Sequence, residues 1–361
     1  MSTKNVNLPI LDHVLVRSDA GGVQLISTNL EIAVTCSVRG KVEQEGEYTV
    51  PSKLFYDFVN LLPNDRVDLN LVDEGLSVSC GKTKTKVRGA VAGEFPLVPP
   101  AGEGIVYRVN AQALGRALSQ VLFSAATNEA RPELAGVLLA FTKADGGSLI
   151  LAATDSYRLA ERTIEAAGPV DDERTVIVPQ RTLAELARIF SVFRDDVEAS
   201  DDVEVNLSDN QVVFRYGSVE LTSRTIEGPY PDYKQIIPTD TKTKMVLDRA
   251  ALIQAVKGAS LFAKSGLYDV TIRAVPGQGV EVSARDATRG ENVMNLEGGV
   301  EGVENSAVLN FRYLLDGLGA ISSEKVRLEL VDGANPCLVL PEASEGTPAE
   351  VYRYVVMPIR Q

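Results

Sequence analysis

The sequence predicts an α+β fold in which one module, an antiparallel sheet carrying two helices, is written three times. The first observation behind this is a set of short alternating stretches, VDLNLV (67–72), VEVNLS (203–208) and VRLELV (326–331), each bounded by Asp, Asn or Gly; these read as half-buried antiparallel strands. The second is that their surroundings recur. DRVDLNLVDEGLSVSC, DDVEVNLSDNQVVFRY and EKVRLELVDGANPCLVL align without gaps over their first eight residues. Before each comes a strand feeding a helix, in EYTVPSKLFYDFVNLL, RTVIVPQRTLAELARIF and SAVLNFRYLLDGLGAI, and before those ISTNLEIAVT, AATDSYRLAE and SARDATRGEN; EFP, PYP and VMP follow. The copies are spaced by about 125 to 135 residues, too long for a solenoid repeat and right for whole domains. The boundaries expected are 1–103, 104–240 and 241–361.

The second copy defines the module. IVYRVN is a strand, and residues 112–124 place Leu114, Leu118, Val121 and Leu122 on one helical face. After several strands, residues 181–194 form a second helix with Leu183, Leu186, Phe190 and Phe193 as its apolar stripe. The third copy repeats this with helices at 249–264 and 311–321, and the first has a helix at 52–62. Ser2-Thr-Lys-Asn aligns with the loop around Asn128 to Arg131, so the first copy lacks the opening strand and helix, about 23 residues by comparison with 105–128. Either the recorded start is late or the module is shortened, and loss of that strand and helix is expected to expose apolar sheet.

Composition narrows the function. The chain has 361 residues, 45% apolar, enough for two or three cores. Its apolar runs are strand-sized and Met1 is followed by Ser-Thr-Lys-Asn, so no membrane segment or signal is expected and the location expected is cytoplasmic. Cys36, Cys80 and Cys337 are far apart and odd in number, which fits reduced, partly buried thiols better than a disulfide framework. His13 is the only histidine; a zinc site and a histidine-based catalytic triad both lack parts. No enzyme, metal or cofactor is expected.

The net charge of −13 argues against a polyanionic partner only if the charge is evenly spread. It is not. The five helices carry Lys53, Arg116, Arg181, Arg188, Arg194, Arg249, Lys257, Lys264 and Arg312 against Asp57, Glu185 and Asp316. A basic helix side and an acidic strand side follow if the helices share a face; ordinary solvated helix faces are the plainer reading.

ATDSYRLA, EGPYPDYKQIIP and the terminal YVVMPIR, on top of the triplication, resemble the bacterial DNA polymerase III beta subunits, the sliding clamps, over essentially the whole chain. The resemblance implies a head-to-tail homodimer forming a ring around double-stranded DNA, helices inside and sheets outside, binding without sequence preference. It implies partners that include DNA polymerase III, other polymerases, a clamp loader and repair proteins, and a processivity role without catalysis. DNA-facing candidates are Lys4, Arg116, Asn128, Arg181, Arg188, Arg249, Lys257 and Lys264. The dimer contact falls on Thr85 and Val87 of one copy and Leu261 and Phe262 of the other, and without the opening strand and helix weaker dimerisation is expected.

The resemblance also makes the C-terminal segment one wall of an apolar cleft for partner peptides. Its residues are Arg131, Leu134, Thr154, Ser156, Tyr157, Arg158, Leu159, Pro231, Gln235, Ile236, Asn310, Tyr313, Val355, Val356, Met357, Pro358, Ile359 and Arg360. Leu159, Ile236, Val356 and Ile359 are expected as apolar walls, Met357 as a deformable gate, and Arg158 and Arg360 as donors to the peptide. The plainer reading of Val355 and Val356 is core of the last strand, and that of Asp155 beside Arg158 is a strand-end ion pair. The chain departs from the family pattern at Pro132 and Glu133, where tyrosines are common, at Tyr157, where histidine is common, and at Gln235, where a basic residue is frequent. A monomeric peptide-binding scaffold that never encircles DNA is the alternative.

Overall fold

The computed structural model describes residues 8–100, 102–128, 131–194, 200–264, 266–343 and 350–360; Lys4 lies outside them. The first repeat runs β1 (His13–Asp19), β2 (Gly22–Thr28), β3 (Ile32–Val38), β4 (Gly46–Pro51), α1 (Ser52–Val59), β5 (Val67–Leu71), β6 (Gly75–Cys80), β7 (Thr83–Arg88) and β8 (Ala90–Val91). The second runs β9 (Ile105–Asn110), α2 (Ala111–Val121), β10 (Gly136–Thr142), β11 (Ser148–Thr154), β12 (Arg158–Glu165), β13 (Arg174–Pro179), α3 (Gln180–Phe193), β14 (Asp202–Leu207), β15 (Gln211–Tyr216) and β16 (Val219–Arg224). The third runs β17 (Thr243–Asp248), α4 (Arg249–Ser260), β18 (Asp269–Val275), β19 (Gly279–Asp286), β20 (Gly290–Leu296), β21 (Gly298–Gly302), β22 (Asn305–Asn310), α5 (Phe311–Ala320), β23 (Lys325–Leu330), β24 (Cys337–Pro341) and β25 (Tyr352–Val356).

These strands make four sheets, ordered β8-β4-β1-β2-β3-β16-β15-β14-β9, β13-β10-β11-β12-β25-β24-β23-β17-β21, β20-β19-β18-β22 and β5-β6-β7. The two long sheets cross repeat boundaries. β3 pairs antiparallel with β16 from Ile32↔Ser223 to Cys36↔Val219, and β12 pairs with β25 from Arg158↔Val356 to Arg162↔Tyr352. Compactness therefore follows the sheets rather than the repeats. One body comprises residues 1–111 and 188–225, the other 112–187 and 226–361, so the second repeat is shared between them.

The helices form where the apolar spacing placed them. α2 buries Leu114, Ala117, Leu118 and Val121, α3 Leu183, Leu186, Ile189 and Phe190, and α4 Leu252, Ala255, Val256 and Ala259. Asp248 caps α4 by accepting the Ala251 N–H at 2.7 Å, satisfying one of the donors a helix start leaves unpaired. The expected helix 112–124 is α-helical only to Val121 and finishes as a 3-10 turn, Leu122–Ser124. Arg194 and Lys264 fall just beyond α3 and α4. Two helices per copy holds for the second and third repeats; among the described residues the first has α1 alone, and no residue of α1 is fully buried.

None of the three cysteines is in a disulfide; Cys80 and Cys337 are buried and Cys36 is half-buried. Burial pushes the Cys337 thiol up to about 12, so its reactive thiolate is scarce at neutral pH. A thiol reagent at pH 7.5 is expected to modify Cys36 first and Cys337 only on unfolding. Rapid native-state labelling of Cys337 would contradict this packing.

Candidate functional site

The cleft candidates all lie in the body made of residues 112–187 and 226–361. At its centre is the turn joining β11 to β12. Thr154 Oγ1 donates to the Arg158 carbonyl at 2.6 Å and accepts the Ser156 N–H at 3.1 Å, while Asp155 Oδ1 accepts the N–H groups of Tyr157 (2.9 Å) and Arg158 (3.0 Å). Ser156 is thereby held at φ 77°, a left-handed conformation uncommon outside glycine. The first repeat builds the same turn: Thr28 bonds the Ile32 carbonyl and the Leu30 N–H, Asn29 accepts from Glu31 and Ile32, and Leu30 takes φ 76°. Half of ATDSYRLA is therefore turn chemistry. What distinguishes the second copy is Tyr157, presented to solvent.

The C-terminal segment continues past this turn. β25 lies between β12 and β24, and after Val356 the Met357 N–H donates to the Tyr157 carbonyl at 2.9 Å. Two residues on, the Ile359 N–H donates to the Val308 carbonyl of β22 at 2.8 Å. The tail is thus stitched first to the second repeat and then to the third, with Pro358 between. Met357, Pro358 and Ile359 remain half-exposed and Arg360 exposed.

Beneath it, Leu138, Ala152, Leu159, Ile177, Tyr233, Leu338 and Val355 form one buried cluster, with Tyr230 and Ile237 packed against it. This fixes the 230–237 segment, from which Ile236 and Gln235 face outward. The Tyr233 hydroxyl donates to Glu161 at 2.7 Å, and Arg353 reaches the other Glu161 oxygen at 2.9 Å. Burial, then the bond to Glu161, pushes the Tyr233 hydroxyl far up, so the phenol stays neutral and keeps donating.

Arg158 is committed within the protein. Its guanidinium bonds Asp155 at 3.0 Å and Asp316 of α5, and lies 4.5 Å from the centre of the Tyr313 ring and 5.4 Å from that of Phe123. The expected ion pair with Asp155 is present, and of the five guanidinium N–H donors those on Nε and Nη1 are engaged within the chain. Asn310 caps α5 by accepting the Arg312 N–H at 2.9 Å. Leu134, Thr154, Leu159, Val355 and Val356 are buried, so Leu159 and Val356 are floor rather than wall: strand pairing on both sides of β25 turns these side chains into core. The residues left with surface are Arg131, paired with Glu133 at 3.0 Å, and Ser156, Tyr157, Arg158, Pro231, Gln235, Ile236, Asn310, Tyr313 and Met357 to Arg360. Gln235 donates to Asp232 at 2.8 Å.

The cations differ in availability. Arg116, Arg181, Arg188, Lys257 and Lys264 are exposed, as is Asn128. Arg116 bonds Glu350 at 3.1 Å. Arg249 departs from the expectation: it donates to the Ser323 carbonyl at 2.9 Å and the Leu318 carbonyl at 3.4 Å, neutralising the C-terminal end of α5. Thr85 lies in β7, which among the described residues is an edge strand paired with β6, whereas Val87 is buried in the core of the first repeat. Leu261 is exposed past the end of α4, and Phe262 approaches Gly290 at the start of β20.

Three family models cover nearly the whole sequence: the DNA polymerase III beta subunit N-terminal domain at residues 1–99, its central domain at 108–232 and its C-terminal domain at 234–360. The chain belongs to the DNA polymerase III beta-subunit family. A beta sliding clamp from Synechococcus elongatus is 31% identical over 98% of this chain and 92% of its own, and one from Caulobacter vibrioides is 28% identical over 98% and 93%. The crystal structure of a DNA polymerase sliding clamp from Bacillus subtilis superposes with a TM-score of 0.89 at 26% identity, covering 99% of this chain and 94% of that one. A DNA polymerase III beta subunit from Pseudomonas aeruginosa gives 0.88 at 28% identity, with 98% and 94% covered.

Within this clamp chain, sequence reasoning missed Asp316, Phe123 and Tyr354, the residues that hold Arg158 and the tail. Tyr354 is fully buried, stacks at 5.6 Å on Phe123 and donates to the Tyr313 carbonyl at 2.7 Å. One signal was available. Asp57, Glu185 and Asp316 recur at the same position of the helix in all three copies, where a solvated acid has no reason to persist in helices otherwise biased toward cations.

Proposed function

We propose that two copies of this chain close head to tail into a ring that encircles duplex DNA and tethers polymerases and repair proteins through the cleft beside the C-terminal tail. One observation carries the reading. β3 pairs with β16 of the next repeat, and β12, the counterpart of β3, pairs with β25, the counterpart of β16. Among the described residues, the counterparts left at sheet edges are β20 and β7. Pairing β20 of each copy with β7 of the other repeats the same junction and closes the set, which a heterologous contact does only when its rotation permits. β7 is basic, with Lys84, Lys86 and Arg88, while β20 carries Glu291 and is flanked by Arg289 and Glu297. Leu261 and Phe262 flank that edge. Leu261→Glu is expected to raise the dimer dissociation constant by tenfold or more in sedimentation equilibrium with the circular dichroism unchanged; an unaltered constant would remove this junction.

Duplex DNA carries a phosphate charge about every 1.7 Å, so exposed lysines and arginines facing it supply attraction without reading sequence. Exposure of Arg181, Arg188, Lys257 and Lys264 supports a DNA-facing role; Arg249, bonded to one carbonyl in the last turn of α5 and one just past it, is assigned to stability. Changing those four cations to Gln in both copies of the ring is expected to lower the slope of log affinity against log salt by up to about 7, at about 0.9 per phosphate contact. An unchanged slope would move DNA elsewhere.

A clamp of this family is a processivity factor without chemistry of its own. Among the described residues no helix is long and apolar enough to cross a membrane, and a cytoplasmic location goes with the proposed partners. Primer extension tests the reading. With a cognate polymerase and a loader, the chain is expected to lengthen the product made per binding event; products equally short with and without it would overturn the assignment.

A further inference from the structure

The junctions β3 with β16 and β12 with β25 share one register, and the side chains set on that register differ. Thr35 of β3 stands opposite Glu220 of β16, and Glu220 opposite Arg215 of β15. Ser37, two residues along β3 and so on the same face, stands opposite Gln24 of β2. At the second junction the same places fall on Glu161 opposite Arg353, and on Thr163 opposite Ile150. There the face is covered. Glu161 is 4% exposed and bonded by Tyr233 and Arg353, and Tyr230, Ile237 and Leu340 pack against the cluster that holds Tyr233.

At the first junction the face stays open. The EFP segment, counterpart of PYP, packs Phe95 and Val98 with Leu15, Ile26 and Ile10 and lines no part of a depression of about 420 Å³ over β2, β3, β15 and β16. Its lining is polar, with Gln24, Thr35, Ser37, Ser218, Arg215 and Glu220 joined by the exposed Arg39. Arg215 Nε donates to Glu220 at 2.8 Å, which uses one of the five donors of its guanidinium. Two guanidinium groups against one carboxylate make the depression net positive.

We infer that this depression binds a small hydroxylated organic anion, a phosphate ester or a carboxylate. The planar fork of Arg215 holds the anionic group through paired hydrogen bonds, and Gln24, Thr35, Ser37 and Ser218 exchange hydrogen bonds with its hydroxyls. The volume falls in the range of small-molecule sites, about 300–1,000 Å³. No aromatic ring is among the described residues that line it, so a nucleic-acid base finds no stacking platform there. All of these residues lie in the body made of residues 1–111 and 188–225, and the cleft candidates lie in the other. The inference therefore stands or falls apart from ring closure and peptide binding.

Isothermal titration calorimetry of the full chain tests it, with ribose 5-phosphate and gluconate as separate probes. At least one of them is expected to bind once per chain, and at least tenfold more tightly than inorganic phosphate or ribose, each of which leaves half of the lining unused. Loss of a hydrogen bond to a charged group is a tenfold effect or more, so Arg215→Met is expected to weaken binding by at least that factor. Glu220→Gln, which removes the competing carboxylate at nearly the same shape, is expected to strengthen it. Arg181→Gln with Lys257→Gln is expected to leave it unchanged. No binding of either probe at millimolar concentration overturns the inference, as does an affinity no better than that of inorganic phosphate. So does binding that survives Arg215→Met, or a short oligothymidylate that displaces the probe. Should circular dichroism show Arg215→Met unfolded, Glu220→Gln decides, and unchanged or weaker binding there overturns the site.

Discussion

Deleting Met357 to Gln361 is expected to weaken binding of a partner-derived apolar peptide by at least a hundredfold while leaving a folded chain. The deletion removes the half-exposed Met357, Pro358 and Ile359, the apolar residues that the tail presents beside Tyr157. Few residues carry most of the energy at such an interface, and loss of two anchors at about 2 kcal/mol each is close to a thousandfold. The cost to the fold is smaller. Two backbone hydrogen bonds go, Met357 to Tyr157 and Ile359 to Val308, each contributing about 0.5–1.5 kcal/mol, whereas Tyr352, Tyr354, Val355 and Val356 stay buried between β12 and β24. Fluorescence anisotropy with a labelled peptide reads the first effect and thermal unfolding the second. Undiminished affinity would place the peptide site elsewhere.

The second large effect is expected at Gly317. A Cβ there would lie 2.2 Å from two ring carbons of Tyr354, and that ring is fully buried against Phe123 with its hydroxyl bonded to the Tyr313 carbonyl. Gly317→Ala gains about 1 kcal/mol of helix propensity but forces the ring out of its packing, and overpacking of this kind costs about 1–3 kcal/mol and occasionally more. A net loss of about 2 kcal/mol is expected, with peptide binding reduced as well because Arg158 rests against Tyr313 and bonds Asp316, one residue away. Gly319, two residues along the same helix, meets nothing within 4 Å, and Gly319→Ala is expected to stabilise by about 0.5–1 kcal/mol. Equal effects of the two substitutions would contradict the packing described around Tyr354.

The repeat was legible because its signals are local. Alternation located β5, β14 and β23, and the Leu183 and Leu252 stripes located α3 and α4 to within a few residues. The cleft was legible only as a list. Which members offer surface depends on pairing far along the chain: β25 between β12 and β24 buries Val355 and Val356, and no pattern within YRYVVMPIR distinguishes them from Met357 and Ile359. Arg158 and Arg249 look alike in sequence to the exposed cations, yet one is held by two carboxylates and two rings and the other by two main-chain carbonyls. Charge says where a side chain is tolerated, and only the acceptors around it say whether it is free.

The central claim is topological, so retention on DNA tests it most directly. After loading onto nicked circular plasmid, the chain should remain bound through gel filtration in 0.3 M salt and be lost when the plasmid is linearised at one site. Retention that is the same on circular and linear DNA, or that disappears from both alike as salt rises, would mean that charge alone holds the molecule and that no ring is formed.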